Sequence, residues 1–310
     1  MRGVALNTHW QLGHGERFAA RLPAFVREVL TGIGQCMLQG DARTGLLFLV
    51  GVTVSSHKVA LGLALGAVVG TCWSHLRSYD EATRRQGLHG FNAALVGAAT
   101  ALLLEPGWLA WFAAGFACVV ATELAESAQR RLPFSVYTAP FVLATWLLLF
   151  VADRLGMPAA ALQPIGFDSM AKGVAAGVGQ VFFVDSELSG LLIVLGIAAA
   201  NWSAALWAVA GSAIGAIGAS GAGLAADEIA AGLFGYNSAL VAIALASRGM
   251  PAWLVAAASL ATVVVVLALK AIGIAPLTAP FVLTTWAAIA AWQWMARLRS
   301  RLESHQNVEE

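Results

Sequence analysis

Long apolar segments separated by short polar stretches run along almost the whole chain. In the first half they lie near 45–57, 59–76, 88–104, 107–127 and 138–153. In the second half they lie near 189–201, 203–219, 232–247, 251–272 and 278–296. A half-apolar segment precedes each group, at 17–38 and 163–184. Because a membrane-spanning helix needs about 20 apolar residues, the pattern predicts an all-α polytopic membrane protein with five crossings in each half.

Composition supports a membrane protein over a soluble one. The chain is 59% hydrophobic and 11% charged, with a mean hydropathy of +0.76, whereas soluble domains carry about 25% charged residues. So little polar surface cannot cover a water-soluble globule of this size, but lipid is a suitable solvent for apolar helices. The net charge of +1 gives no indication of a nucleic-acid partner.

Four short motifs occur twice, in the same order. The first copies are Gly34-Gln35, Gly45-Leu46-Leu47, Gly87-Leu88-His89-Gly90-Phe91-Asn92 and Thr138-Ala139-Pro140-Phe141-Val142-Leu143. The first three recur at one shared offset, which relates Gly34 to Gly179, and the fourth at a slightly shorter one, which relates Thr138 to Thr278. A small deletion in the second half accounts for the difference. The sequence therefore predicts a duplication, with repeats at 17–155 and 162–300, a polar N-terminal tail at 1–16 and a C-terminal cytoplasmic tail at 301–310.

The charge pattern gives the orientation of the two repeats. An odd number of crossings per repeat inverts the second repeat relative to the first. With ten crossings, nine arginines fall on one side, namely Arg77, Arg84, Arg85, Arg130, Arg131, Arg248, Arg297, Arg299 and Arg301. Four basic residues fall on the other, namely Lys58, Arg154, Lys172 and Lys270. The positive-inside rule then predicts a multi-pass protein of the inner (plasma) membrane with both termini cytoplasmic.

Repeated polar side chains in apolar surroundings are the first candidates for function. Gln35 and Gln180 offer a carbonyl oxygen and an amide, which suits either pore lining or hydrogen bonding between helices. Asn92 and Asn237 fit interhelical hydrogen bonding or the capping of a broken helix. The glycines at 87–91 and 232–236 indicate that helices are interrupted there.

Thr138 and Thr278 begin the longest repeated motif, two residues before a proline. Proline is tolerated in the first helical turn, so both threonines lie close to a helix start. Each hydroxyl is either an N-cap or one of two hydroxyls that meet near the axis relating the repeats. These two interpretations are compatible.

Several kinds of site are missing from the sequence. No phosphate-binding loop, no His-Glu-x-x-His motif and no clustered Cys/His set is present, so we expect no enzymatic activity, no metal and no cofactor. The six histidines form no repeated pair of the kind an ammonium channel would use. Few acids fall in apolar segments, which favours a passive pore over a coupled pump.

With these repeated motifs, the sequence resembles the urea transporter (urea channel) family, in particular a bacterial member, over about 30–296. The resemblance rests on Gly34-Gln35-Cys36-Met37 with Gly179-Gln180-Val181-Phe182-Phe183, on the two Gly-aromatic-Asn segments that are each followed by Ala-Leu-Val, and on the two Thr-Ala-Pro-Phe segments. It implies two inverted repeats of five transmembrane helices, a short tilted pore helix in each, and a homotrimer in membrane lipid with one pore per protomer. Urea would pass along oxygen acceptors between phenylalanine rings.

The resemblance also implies a role for individual residues. Gln35 and Gln180 would be the polar entrances, Phe183 a ring of the slot, and Thr138 and Thr278 its midpoint. Further pore residues would be Phe91 and Tyr236 beside the acceptors, Leu95 and Leu240 as apolar walls, and Val181. Leu38 stands where the family has phenylalanine three residues after the first glutamine, so the two ends of the slot are expected to differ. Two alternatives stay open: a channel for another small neutral solute (acetamide, formamide or ammonia), and an ion-coupled secondary transporter.

Overall fold

The computed structural model describes residues 21–160, 170–184 and 186–309. The predicted N-terminal tail at 1–16 and the first part of the segment at 163–184 lie outside these residues. Within them the regular secondary structure is helical, with one isolated β-bridge between Leu104 and Ala159.

Seven helices form the first half of the described chain. They are α1 Ala24–Gln35, α2 Ala42–Ser55, α3 His57–Leu76, α4 Glu81–Arg85, α5 Phe91–Leu103, α6 Trp108–Arg131 and α7 Ala139–Arg154. Seven more follow: α8 Met170–Gly179, α9 Glu187–Ala200, α10 Trp202–Gly221, α11 Ala226–Ala230, α12 Gly235–Ala246, α13 Ala252–Ala271 and α14 Ala279–Glu309. A short 3₁₀ turn, Gln180–Phe182, extends α8.

The second set of helices repeats the first, element by element. Helices α2, α3 and α4 correspond to α9, α10 and α11. In each pair, the first residues and the last residues are separated by the same number of positions as Gly34 and Gly179. The starts of α7 and α14 are related by the shorter offset, which is also that of their Thr-Ala-Pro-Phe motifs. A helix length that recurs together with its flanking motif is what an internal duplication produces.

Four described helices are long and apolar enough to cross a membrane, namely α3, α6, α10 and α13. A fifth candidate span is the bent pair formed by 172–182 and α9, whose axes differ by 71°. The apolar helices α2, α5 and α12 have only 12–14 residues, so each needs a neighbouring segment to complete a crossing. The interruptions predicted at 87–91 and 232–236 are present, because α4 and α11 end before those glycines and α5 and α12 begin beside them.

Paired glycines explain where these interruptions occur. Gly87 and Gly232 have φ of +72° and +76°, a left-handed conformation that disfavours any side chain. A Cβ on Gly87 would lie 2.4 Å from the backbone nitrogen of Gly32, and one on Gly232 would lie 2.3 Å from that of Gly177. The turn before α5 therefore packs directly on the backbone of α1, and the turn before α12 packs likewise on α8.

The two halves share one core and are joined by reciprocal contacts. The Trp146 indole donates to the carbonyl of Ala275 at 2.9 Å, and the Trp286 indole donates to the carbonyl of Ser135 at 2.9 Å. Both donors and both acceptors are related by the offset that takes Thr138 to Thr278. Each half thus binds the other through the same pair of positions, beside the segments that lead into α7 and α14.

Candidate functional site

The two repeated threonines meet at the contact between the halves. The hydroxyl oxygens of Thr138 and Thr278 lie 2.6 Å apart, and both residues are almost completely buried, at 1% and 2% exposure. The Thr138 side chain makes no capping bond to α7. Of the two interpretations of the sequence, the hydroxyl pair is therefore the one that describes Thr138.

A left-handed residue precedes each threonine. Tyr137 and Leu277 have φ of +51° and +46°, and this conformation turns the chain sharply before α7 and α14 begin. Pro140 and Pro280 then occupy the first helical turn, where a missing N–H costs nothing. The sequence thus forms two equivalent turns, each ending in a helix start that faces the other half.

Asn92 and Asn237 hold these turns in place. The Asn92 amide oxygen accepts from the backbone N–H of Phe141 at 3.0 Å, and the Asn237 oxygen accepts from that of Phe281 at 2.9 Å. Each amide nitrogen donates to the carbonyl of the left-handed residue, Tyr137 at 3.4 Å and Leu277 at 3.1 Å. The asparagines therefore make the expected interhelical bonds, and each caps a helix in another part of its own repeat.

The two glutamines have matching environments. Nε2 of Gln35 donates to the carbonyl of Gln86 at 2.8 Å, and Nε2 of Gln180 donates to the carbonyl of Ala231 at 2.8 Å. Both side chains are half-buried. No hydrogen bond from a described residue to either Oε1 accompanies these contacts, so each glutamine has a side-chain carbonyl oxygen that can still accept hydrogen bonds.

The two ends of the expected aromatic slot differ. Leu38 and Phe183 occupy equivalent left-handed positions, with φ of +62° and +61°. The Phe183 ring lies 6.3 Å from that of Phe141, edge to face. Leu38 provides no ring, and Phe281 is instead paired edge to face with Tyr137 at 5.0 Å.

The rings Phe141, Phe281 and Tyr137 were not among the predicted site residues. Phe141 and Phe281 are fully buried next to the threonine turns. The repeated Thr-Ala-Pro-Phe motif was the available signal for both phenylalanines. Tyr137 has no repeated counterpart, so nothing in the motif pattern indicated it.

The remaining predicted residues lie in the shared core. Leu95, Leu240 and Val181 are at most 1% exposed and belong to the main hydrophobic cluster. Phe91 is buried at 7% exposure. The hydroxyl of Tyr236 donates to the carbonyl of Leu277 at 2.6 Å, next to Thr278.

Two buried acids, each beside a histidine, were not singled out from the sequence. Glu28 is 4% exposed, and its carboxylate lies 2.6 Å from Nε2 of His75. Glu126 is 8% exposed, 3.7 Å from Nδ1 of His89 and bonded to Arg130. Neither acid belongs to a repeated motif, so repetition gave no signal for them.

The described residues offer no group of three His, Cys, Asp or Glu side chains suited to a metal ion. Cys36 and Cys118 are buried and Cys72 is exposed, and none of the three forms a disulfide. The candidate site thus consists of neutral acceptors, hydroxyls and rings.

Comparison with known proteins agrees with this description. The chain matches the urea transporter family over residues 26–293. It is 30% identical to urea transporter 1 of Rattus norvegicus over 247 residues and 28% identical to urea transporter 1 of Ovis aries over 245 residues. These alignments cover 73% of this chain but only 64% of each relative. This multi-pass, all-helical membrane protein belongs to the urea transporter family.

Proposed function

We propose that the protein conducts urea passively and selectively across the membrane, along a pathway between its two halves. The observation that carries this proposal is the Thr138–Thr278 hydroxyl pair, 2.6 Å apart where the two repeats meet. The glutamines related by the repeat, each with an open carbonyl oxygen, would be the polar entrances on either side of it.

The chemistry of these groups suits urea. Urea is planar and neutral and has four N–H donors, so glutamine and threonine oxygens can replace the water that it loses on entry. The paired rings Phe141–Phe183 and Tyr137–Phe281 offer flat apolar walls. A hydrated ion cannot shed its shell against such walls, and weak binding at several acceptors permits fast exit.

We further propose that the repeats are inverted, that both termini are cytoplasmic in the plasma membrane, and that the protein is a homotrimer. The matching turns, with their shared pattern of Asn and Gln bonds, support two equivalent repeats. Contacts of Arg248 with Ser135 and of Arg77 with Glu123 support one basic end. The trimer rests on the family resemblance. Labelling of a cysteine placed at Ser300 from outside intact cells would overturn the orientation.

Urea-driven shrinking and swelling of proteoliposomes tests the permeant. Urea flux should exceed that of protein-free vesicles, with acetamide, formamide, ammonia and glycerol run alongside. Equal or faster permeation of another solute would replace urea as the preferred permeant. No urea flux above background would overturn the proposal.

Replacing the threonines tests the pathway. Thr138→Val and Thr278→Val keep the side-chain shape and remove one neutral hydrogen bond, worth about 1–3 kcal/mol when its partner is left unsatisfied. If the hydroxyl pair limits the rate, flux per folded protomer should fall roughly ten- to a hundredfold in each variant. Thr138→Ser should retain flux. Thr100→Val is a matched control, because the buried Thr100 hydroxyl only bonds a carbonyl of its own helix. Normal flux in both valine variants would remove these residues from the pathway.

The buried carboxylates of Glu28 and Glu126, each beside a histidine, favour one second candidate, an ion-coupled transporter, because buried ionisable groups are what coupling needs. Collapsing proton and sodium gradients distinguishes the two functions. A passive pathway predicts that urea flux is unchanged by the collapse and by Glu28→Gln or Glu126→Gln. Uphill accumulation of labelled urea that is lost in either glutamine variant would establish coupling.

A further inference from the structure

The two halves differ in charge at equivalent positions beside the candidate slot. Arg248 lies just after the end of α12. The equivalent position in the first half, at the spacing that relates Gly179 to Gly34, is Leu103, the last residue of α5. The residues that Arg248 contacts differ as well. At the shorter offset, Ser135 and Tyr137 correspond to Ala275 and Leu277. Position 248 thus carries a cation where the equivalent position 103 is apolar.

Hydrogen bonds and a ring fix the position of the Arg248 guanidinium. One terminal nitrogen donates to the hydroxyl of Ser135 at 3.0 Å, and the other donates to the carbonyl of Ala244 at 3.2 Å. Its central carbon lies 5.3 Å from the centre of the Tyr137 ring, which is cation–π range. No carboxylate of the described residues forms an ion pair with Arg248, so its charge is not neutralised locally.

The same ring connects this charge to the slot. Tyr137 packs edge to face on Phe281 with ring centres 5.0 Å apart, and it directly precedes Thr138. The guanidinium is therefore separated from the Phe281 ring by the thickness of one side chain. Arg248 also occupies one face of the Tyr137 ring, so that face is not available to a permeating cation.

We infer that Arg248 is a charge-selectivity residue, which excludes urea-shaped cations of the guanidinium class from one end of the pathway. Guanidinium has the planar shape and the N–H donors of urea, so shape and acceptors alone do not reject it. Two unit charges about 10 Å apart at an effective dielectric constant of about 20 change an equilibrium roughly tenfold. This inference rests on the proposed urea pathway.

Competition with urea flux in proteoliposomes tests this role. Guanidinium chloride is added at constant ionic strength, with thiourea as a neutral competitor of the same shape. In Arg248→Met, the half-inhibitory concentration of guanidinium should fall about tenfold, while that of thiourea should change less than about twofold. Arg248→Lys keeps the charge and should resemble the unmodified protein.

Two control variants isolate the position of the charge. Leu103→Met changes the counterpart at the other end, and Arg85→Gln removes an exposed cation that is paired with Glu81. Neither should alter inhibition by guanidinium. If Arg248→Met does not fold, Arg248→Gln retains donors for Ser135 and Ala244, and the same shift is expected.

The outcomes separate this inference from the proposed function. Normal urea flux with unchanged guanidinium inhibition in the folded charge-removing variant would overturn the role of Arg248 and leave the urea pathway intact. A matching shift in Arg85→Gln would also overturn it, because general surface charge would then be the cause. An unmodified protein without urea flux would overturn the pathway and this inference with it.

Discussion

The turn before α5 and the turn before α12 have the same backbone but different surroundings. Gly87 and Gly232 share a left-handed conformation, and each preceding carbonyl accepts from a glutamine at 2.8 Å. Behind the first turn, buried His89 contacts Thr83 at 2.9 Å and Tyr79 at a ring distance of 5.0 Å. Behind the second turn, the counterpart of His89 is Phe234, which lies in an apolar cluster with Ile229, Leu224, Val263 and Val266.

The difference shows which interactions determine the geometry of the site. Glycine contacts and the Gln and Asn hydrogen bonds are equivalent in both halves, whereas the packing layer behind them is polar in one and apolar in the other. The polar layer leaves Tyr79 Oη, Arg84 Nε and His89 Nδ1 without a hydrogen-bond partner among the described residues. Buried polar atoms of this kind are costly, so that layer is expected to be the less stable of the two.

Substituting the glycines should have the largest effect, and an equal one in both halves. Gly87→Ala or Gly232→Ala places a Cβ 2.3–2.4 Å from a backbone nitrogen in a left-handed conformation, which no side-chain movement relieves. We expect neither variant to yield folded protein, measured as a monodisperse peak after detergent extraction. Gly107→Ala is the control, because a Cβ there has no neighbour within 4 Å. One glycine variant that folds normally would show that the two turns are not equivalent.

Exchanging the residues behind the turns should have a smaller and unequal effect. Phe234→His places an imidazole without a hydrogen-bond partner in an apolar cluster. The Phe234 ring that it replaces lies 5.8 Å from the ammonium of Lys270. The substitution should lower the free energy of unfolding by about 1–3 kcal/mol. His89→Phe removes a side chain whose Nδ1 has no hydrogen-bond partner among the described residues, and should change stability by less than about 1 kcal/mol. Thermal unfolding of both purified variants measures the difference. A larger loss in His89→Phe would mean that the polar layer is a stabilising network.

The repeated part of the fold was predictable because its requirements are local. A left-handed glycine, an asparagine that caps a neighbouring helix and a proline in a first turn each require a particular residue type, and a duplication shows each requirement twice. The pairs Glu28–His75 and Tyr137–Phe281 were not predictable. Their members lie on distant segments of the chain, they occur once, and only the packing of those segments against one another brings them together.

The same reasoning explains the outcome at Leu38. The sequence predicts that Leu38 is equivalent to Phe183, because each follows its glutamine at the same spacing. Their shared left-handed backbone conformation agrees with this equivalence. The partner of Phe281 was not readable, because Tyr137 approaches that ring from a different segment of the other half. Phe281 thus pairs with a ring from outside the motif.

Tyr236→Phe should have the smallest effect, and it tests whether the halves differ at the acceptors themselves. The Tyr236 hydroxyl and the Asn237 amide both donate to the carbonyl of Leu277, at 2.6 and 3.1 Å. Among the described residues, the equivalent carbonyl of Tyr137 accepts a side-chain hydrogen bond only from Asn92, at 3.4 Å, because Phe91 has no hydroxyl. Removing the hydroxyl should cost about 0.5–1.5 kcal/mol of stability, and urea flux per folded protomer should stay within about threefold, since Asn237 still holds the turn.

Phe91→Tyr is the matched variant, and the double exchange should shift the unfolding temperature by the sum of the two single shifts. A loss of flux greater than about tenfold in Tyr236→Phe, with unchanged stability, would instead mean that this hydroxyl contacts the permeant and that the acceptor line is longer in the second half than in the first.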